Sequence, residues 1–378
     1  MSDLLQCLNK RFGIKLPELL HGASDPGTWE ERRREIREQF QTHVYGRFPA
    51  YNPADTKWVE RHTVVLPTGG NSRTDYTLTV PMGGGEFSYD MELYLPARAN
   101  GPVPVFLFIT SDHWALLHVK NGTINEYFPL KYILDSGFGI ACVDVMQLAA
   151  DDADLFFSDN GFRSLLRDTG EPNERLGALG IWAFGAMRVM DVLAQNSRVD
   201  ATKVSVIGLS RLGKTALVAG AFDDRFAMTV SVNSGQGGAA LSMLKEGESL
   251  KGITAAFPHW FCANYSDYGE RPDTLPVDQH ALLALAAPRL LYITSSEQDS
   301  WADPVSEFRS AKLASAVYST VYGMQGLEIE GDDWDAIDTG RLYQDGQVAY
   351  HRRVGEHGLN RFDWGAVVVF AEKKFKLK

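Results

Sequence analysis

Five short stretches of this chain are apolar almost without interruption: residues 103–109 (VPVFLFI), 139–145 (GIACVDV), 204–207, 228–232 and 290–294. A strand that faces water on one side alternates apolar with polar residues, so strands without alternation are covered on both faces. Such strands run parallel and are joined by helices. The longest intervening helix is predicted over residues 174–195, where Gly177, Gly180 and Gly185 would let it approach the sheet closely. Residues 347–352 read as the last strand and residues 364–376 as a closing helix.

The part before residue 103 has a different pattern. Residues 58–66, 76–80 and 87–95 are rich in β-branched and aromatic side chains, and Tyr89, Met91, Leu93 and Leu95 alternate with more polar neighbours. Turns at Gly69-Gly70 and Gly83-Gly84-Gly85 separate them, which predicts antiparallel, half-buried strands. Residues 30–41 carry mixed charge and read as a solvated helix. The predicted fold class is therefore α/β, of the α/β-hydrolase type: a mostly parallel central sheet, antiparallel N-terminal strands, and helices on both faces. No linker rich in Pro, Gly or Ser interrupts the chain, so residues 1–378 are expected to form a single domain, although length alone would suggest two or three. The acidic and aromatic stretch 147–173 reads as a surface insertion.

Composition narrows the function classes. Lys plus Arg number 37 and Asp plus Glu 48, a formal net charge of -11, which argues against nucleic acid as a partner. No apolar run approaches the ~18 residues a membrane span needs. Cys7, Cys142 and Cys262 are odd in number and far apart, so no disulfide framework or metal knuckle is expected, and Cys142 reads as a buried thiol. HExxH and a G-x-G-x-x-G following a strand are both absent, so neither a metal nor a nucleotide cofactor is expected. The first six residues lack a basic region followed by an apolar one, so the chain as written reads either as cytoplasmic or as having lost a leader. The sequence leaves the oligomeric state open.

The chemistry centres on Val204-Ser205-Val206-Ile207-Gly208-Leu209-Ser210-Arg211-Leu212-Gly213-Lys214. A strand that breaks at Gly-x-Ser into a helix is a nucleophile elbow, which raises the Ser hydroxyl over the carboxyl edge of the sheet. The usual second Gly is replaced by Leu212 and appears one residue later, at Gly213. A plain N-cap Ser in a strand-to-helix turn is the simpler reading of Ser210. A serine nucleophile needs a base, and His357 follows the last predicted strand in the glycine-flanked loop Gly355-Glu356-His357-Gly358. His351 falls within that strand, and His259 reads as a pocket or core residue. The orienting acid is expected after residues 290–294, with Asp299 first and Glu297 second; Asp303 before Pro304 reads as a helix N-cap. The backbone N–H of Arg211 is the natural oxyanion donor, and its side chain supplies either a second donor or a structural salt bridge. Lys214, one helical turn from Ser210, suits a substrate bearing negative charge or many hydroxyls.

The elbow resembles the nucleophile motif of the glucuronoyl esterases, carbohydrate esterase family 15, especially their bacterial members. So do Ala219-Gly220-Ala221-Phe222-Asp223-Asp224-Arg225-Phe226, Asn233-Ser234-Gly235-Gln236-Gly237-Gly238-Ala239-Ala240-Leu241, Phe257-Pro258-His259-Trp260-Phe261, Pro276-Val277-Asp278-Gln279-His280 and Trp301-Ala302-Asp303-Pro304. The resemblance implies a hydrolase of 4-O-methyl-glucuronate esters, of the kind that join glucuronoxylan side chains to lignin alcohols. It implies Ser210 as nucleophile, His357 as base and Arg211 as oxyanion stabiliser, with Lys214 and Glu248 bonding sugar hydroxyls and Trp301 packing on the ring. Many members of the family place the triad Glu where this chain has Asn233; others place the acid in the later loop, which favours Asp299. The segment 110–114 (TSDHW) departs from the family forms and bears on substrate scope. Two alternatives stay open: an esterase of acetylated sugars or other small esters, and a non-catalytic carbohydrate-binding protein, invited by Asn233.

Overall fold

The computed structural model describes residues 9–10, 13, 15–67, 69–83, 85–99, 101–111, 125–158, 161–166, 171–243, 246–329 and 337–377. Their strands are β1 (Lys57–Val65), β2 (Ser72–Met82), β3 (Gly85–Leu95), β4 (Val103–Thr110), β5 (Gly139–Asp144), β6 (Val199–Leu209), β7 (Met228–Val232), β8 (Leu290–Ser296), β9 (Leu342–Tyr343) and β10 (Val348–Arg353). They form one sheet in the order β1-β2-β3-β5-β4-β6-β7-β8-β10-β9. The five apolar runs are β4 to β8. With β10 they make the parallel block, and the pairings β1–β2, β2–β3 and β3–β5 are antiparallel, as is β10–β9.

The absence of alternation in β4 has the expected cause. Val105, Leu107 and Ile109 enter one core, and Phe106 and Phe108 enter the other. The first core also takes the helices α1 (Pro26–Phe40), α2 (Ala178–Gln195), α3 (Arg211–Phe222) and α4 (Pro304–Tyr322). The second takes α5 (Arg361–Phe375), through Trp364, Val367 and Phe370, together with the short helix Leu130–Asp135. This is the α/β-hydrolase layering.

Several elements differ from their sequence readings. Helix α1 begins four residues earlier than expected, capped by Asp25 with Pro26 in its first turn, and it buries Trp29, Ile36 and Phe40. Its charges do not all face water: Arg33 pairs with Asp224, and Arg32 donates to the Leu19 carbonyl. Helix α2 begins at Ala178, because its first N–H groups, those of Ala178 and Leu179, bond the carbonyls of His259 and Trp260. The helical glycines serve close contacts other than those expected with the sheet. A Cβ on Gly180 would meet Leu176 and the Tyr45 carbonyl, and one on Gly185 would meet Leu148. The stretch 147–173 is not a simple surface insertion, since Leu148, Phe156, Phe162 and Leu166 are buried in the first core. Cys142 is buried as expected, and burial pushes its thiol well above the ordinary value.

Register explains how the site is assembled. Leu209 at the end of β6 pairs with Val232, Val232 with Thr294 and Thr294 with His351. The carboxyl ends of four neighbouring strands thus form one row. Ser210, Asn233, Asp299 and His357 all lie in the segments that leave that row. β4 lies between β5 and β6, so the chain reverses direction across the sheet beside Ser210, the place where open α/β sheets bind ligands.

Candidate active site

Ser210 is strained. Its backbone has φ 59° and ψ -127°, a region costing a non-glycine residue about 1–3 kcal/mol. Bonds on both sides hold it: its N–H donates to the Val232 carbonyl at 2.8 Å, and its carbonyl accepts the Lys214 N–H at 3.1 Å in the first turn of α3. A Cβ on Gly208 would lie 2.1 Å from the Leu212 carbonyl oxygen. A Cβ on Gly213 would lie 3.0 Å from the Val232 oxygen. Leu212 is buried in the core, so the second glycine is needed one place later, where α3 crosses β7. The displaced glycine is thus compatible with a sharp elbow.

His357 Nδ1 and Asp299 Oδ2 are 2.6 Å apart, with the carboxylate 5% exposed and the imidazole 45% exposed. Engaging Nδ1 leaves Nε2 for a hydroxyl. Among the described residues no hydrogen bond joins Ser210 Oγ to His357; catalytic bonds in free enzymes are commonly loose and tighten with substrate. The two residues are nonetheless linked by a short path. The Ser210 N–H holds the Val232 carbonyl, and the next side chain, Asn233, donates to the carbonyl of Gly358, beside His357, at 2.8 Å. The same Asn233 amide donates to Ser296 Oγ at 2.9 Å, which ties in the segment carrying Asp299. Asn233 therefore connects three loops. Glu297, the other acid considered, accepts from Thr339 Oγ1 at 2.9 Å instead.

The His357 loop is braced from beneath. Arg353 donates to the carbonyls of Val354, Glu356 and Gly358, and its Nε to Asp363 Oδ2. Asp363 also takes His351 Nε2 at 2.9 Å, which fixes His351 as a structural residue within β10. Burial pushes the Asp363 carboxyl up, but His351 and Arg353 outweigh it and hold the group below its ordinary value.

Arg211 leaves the elbow toward Asp151, with Nε 2.7 Å from Oδ2 in a charge contact. Asp151 Oδ1 accepts Trp260 Nε1 at 2.6 Å and lies 3.1 Å from His259 Nε2. Burial raises the Asp151 carboxyl; hydrogen bonds from His259 and Trp260, then the Arg211 charge, more than offset this and leave it below the ordinary value. Lys214 is 4% exposed, and its ammonium donates to the Ser234 carbonyl and lies 5.8 Å from the Trp260 ring centroid. The buried Glu248 is bonded through its backbone N–H to the Trp301 carbonyl at 3.0 Å, so these two meet across loops. Gly247 makes that approach possible, because a Cβ there would fall 2.2 Å from the Trp301 oxygen. Trp301 is 65% exposed. Asp303 caps α4 as expected, accepting Ser306 N–H, and also accepts Glu246 N–H. Of the segment 110–114, residues 112–114 lie outside the described residues.

Residues 78–322 match the profile of the family described as "Glucuronyl esterase, fungi". The chain is 33% identical over 377 residues to carbohydrate esterase MZ0003 from an unknown prokaryotic organism, covering 91% of this chain and 84% of that protein. It is similar in structure to a glucuronoyl esterase from Solibacter usitatus, with TM-score 0.85, 32% identity, and 96% and 98% of the two chains covered. A promiscuous esterase of carbohydrate esterase family 15 from a marine bacterial metagenome gives TM-score 0.82 and 31% identity over 95% and 96% of the chains. The chain belongs to the glucuronoyl esterase family.

As a member of that family it is a carboxylic ester hydrolase, and the reading as a non-catalytic binding protein gives way. Asn233, which invited that reading, is a bridge between loops. Two residues around this esterase elbow escaped the sequence. Asp151 is hidden in the run Ala149-Ala150-Asp151-Asp152-Ala153-Asp154, where nothing local separates a half-buried acid from a solvated one. Glu307 lies fully buried in α4 and accepts from Ser295 Oγ, Gly235 N–H and Ser234 Oγ. Its position in the first turn of a helix behind Asp303-Pro304 is the one signal that marked it.

Proposed function

We propose that this esterase hydrolyses esters of glucuronic acid and its 4-O-methyl form, such as lignin–glucuronoxylan cross-links, through an acyl-enzyme on Ser210. The observation that supports this best is the 2.6 Å His357–Asp299 pair, carried on a loop that Asn233 ties to the Ser210 elbow. His357 Nε2 takes the Ser210 proton as Oγ attacks the C6 carbonyl of the uronate. Asp299 holds the ring and stabilises the imidazolium. The Arg211 N–H and guanidinium stabilise the oxyanion. The intermediate expels the alcohol, which leaves with the proton from His357. Water activated by the same imidazole then releases the sugar acid. Specificity resides in the acyl half, with Lys214, Glu248 and Trp301 about the sugar.

The test is turnover of benzyl glucuronate against an acetyl ester of a sugar. A preference for the glucuronate is expected. A preference for the acetate would overturn the substrate reading while leaving the esterase intact.

A further inference from the structure

We propose that Asp151 is a positioning residue for ester hydrolysis, acting through Arg211; this rests on the role given above to Arg211. Asp151 is reached from the segment after β5, and Arg211 from the residue after the elbow serine. His259 and Trp260 come from the segment that caps α2. Three side chains from two other parts of the chain thus converge on the Asp151 carboxylate. A carboxylate can only accept, so His259 carries its proton on Nε2. Oδ1 is clamped by two ring N–H groups and Oδ2 holds Arg211 Nε at 2.7 Å. Among the described residues the terminal nitrogens of Arg211 form no hydrogen bond or ion pair, and its side chain is 37% exposed.

The pairing has two opposed effects. Asp151 weakens the positive field of the guanidinium, and it restricts where that charge can go. A long, part-exposed side chain without an anchor samples many rotamers, whereas oxyanion stabilisation depends on donors fixed before the charge develops. The second effect dominates. Trp260, which supplies one of the clamping N–H groups, also has its ring centroid 5.8 Å from the Lys214 ammonium, so the clamp is continuous with a residue one helical turn from Ser210.

The experiment is a double-variant cycle on the full chain with benzyl glucuronate. Asp151→Asn keeps the size of the side chain and removes its charge. It is expected to lower kcat by about ten- to a hundredfold with KM changed less than about twofold. In the Arg211→Ala background the same change is expected to have no further effect. Trp260→Phe, which removes one clamping N–H and keeps an aromatic ring, is expected to give a smaller loss that also vanishes without Arg211. An undiminished kcat in Asp151→Asn, or equal losses with and without Arg211, overturns the proposal. Should Asp151→Asn fail to fold, Trp260→Phe decides by the same criterion. If instead Ser210→Ala hydrolyses the ester as fast as the parent, it is the function reading itself that fails.

Discussion

Single residues at the elbow carry opposite constraints. Ser210 adopts a backbone conformation disfavoured for its side chain, and the glycines at 208 and 213 make room for the turn that imposes it. Gly208→Ala places a carbon against a backbone oxygen that cannot swing aside. It is expected to cost about 1–3 kcal/mol in denaturant unfolding and to abolish turnover. Gly213→Ala, with 3.0 Å available, should be milder in both. The acid gives a cleaner contrast. Asp299→Asn is expected to lower kcat about a thousandfold or more, while Glu297→Gln, whose carboxylate holds Thr339, stays within a few fold. Comparable losses from the two would reject the assignment of Asp299.

At the scale of elements, the loops work because strands and helices behind them are tied together. Asn233→Ala removes the bonds to Ser296 Oγ and to the Gly358 carbonyl. An expected cost is about 1–3 kcal/mol, with kcat falling more than KM rises, because the His357 loop loses its link to the elbow. Asp363, at the start of α5, contributes stability of a defined pH sign. Its folded carboxyl titrates below the ordinary 3.8, so it binds fewer protons folded than unfolded. The stabilisation is present above that value and is lost as pH falls through the folded one. Asp363→Asn is therefore expected to be less stable at neutral pH and to show a shallower loss in acid, read from denaturant midpoints between about pH 6 and pH 2. Unchanged steepness would contradict the assigned role of the Asp363 carboxylate.

Across the whole molecule, the sheet was the most legible part. Runs such as residues 103–109 and 290–294 have to be covered on both faces, and the parallel block follows from that alone. The places of Ser210 and His357 in the fold were legible because a strand-turn-helix and a post-strand loop are local patterns. Asp299 was legible only to a choice of two, since which acid faces an imidazole is settled by loop geometry. Asp151 was not legible at all: its partners lie 60 and more than 100 positions away, and its neighbours are also acidic. Helix α1 was misread for a related reason, as Arg33 counts as a surface charge until Asp224, from the end of α3, meets it. Local physics specifies strands and turns; burial of a charge is specified by whatever arrives from elsewhere in the fold.

In the proposed reaction Ser210 and His357 act as one unit, and a kinetic cycle tests this most directly. Initial rates of benzyl glucuronate hydrolysis would be measured for Ser210→Ala, His357→Ala and the two combined, each checked for native unfolding behaviour. Each single variant is expected to lose at least about a thousandfold in kcat, with the double variant no worse than either. A single variant that keeps turnover within tenfold of the parent, or losses that multiply in the double variant, would contradict it.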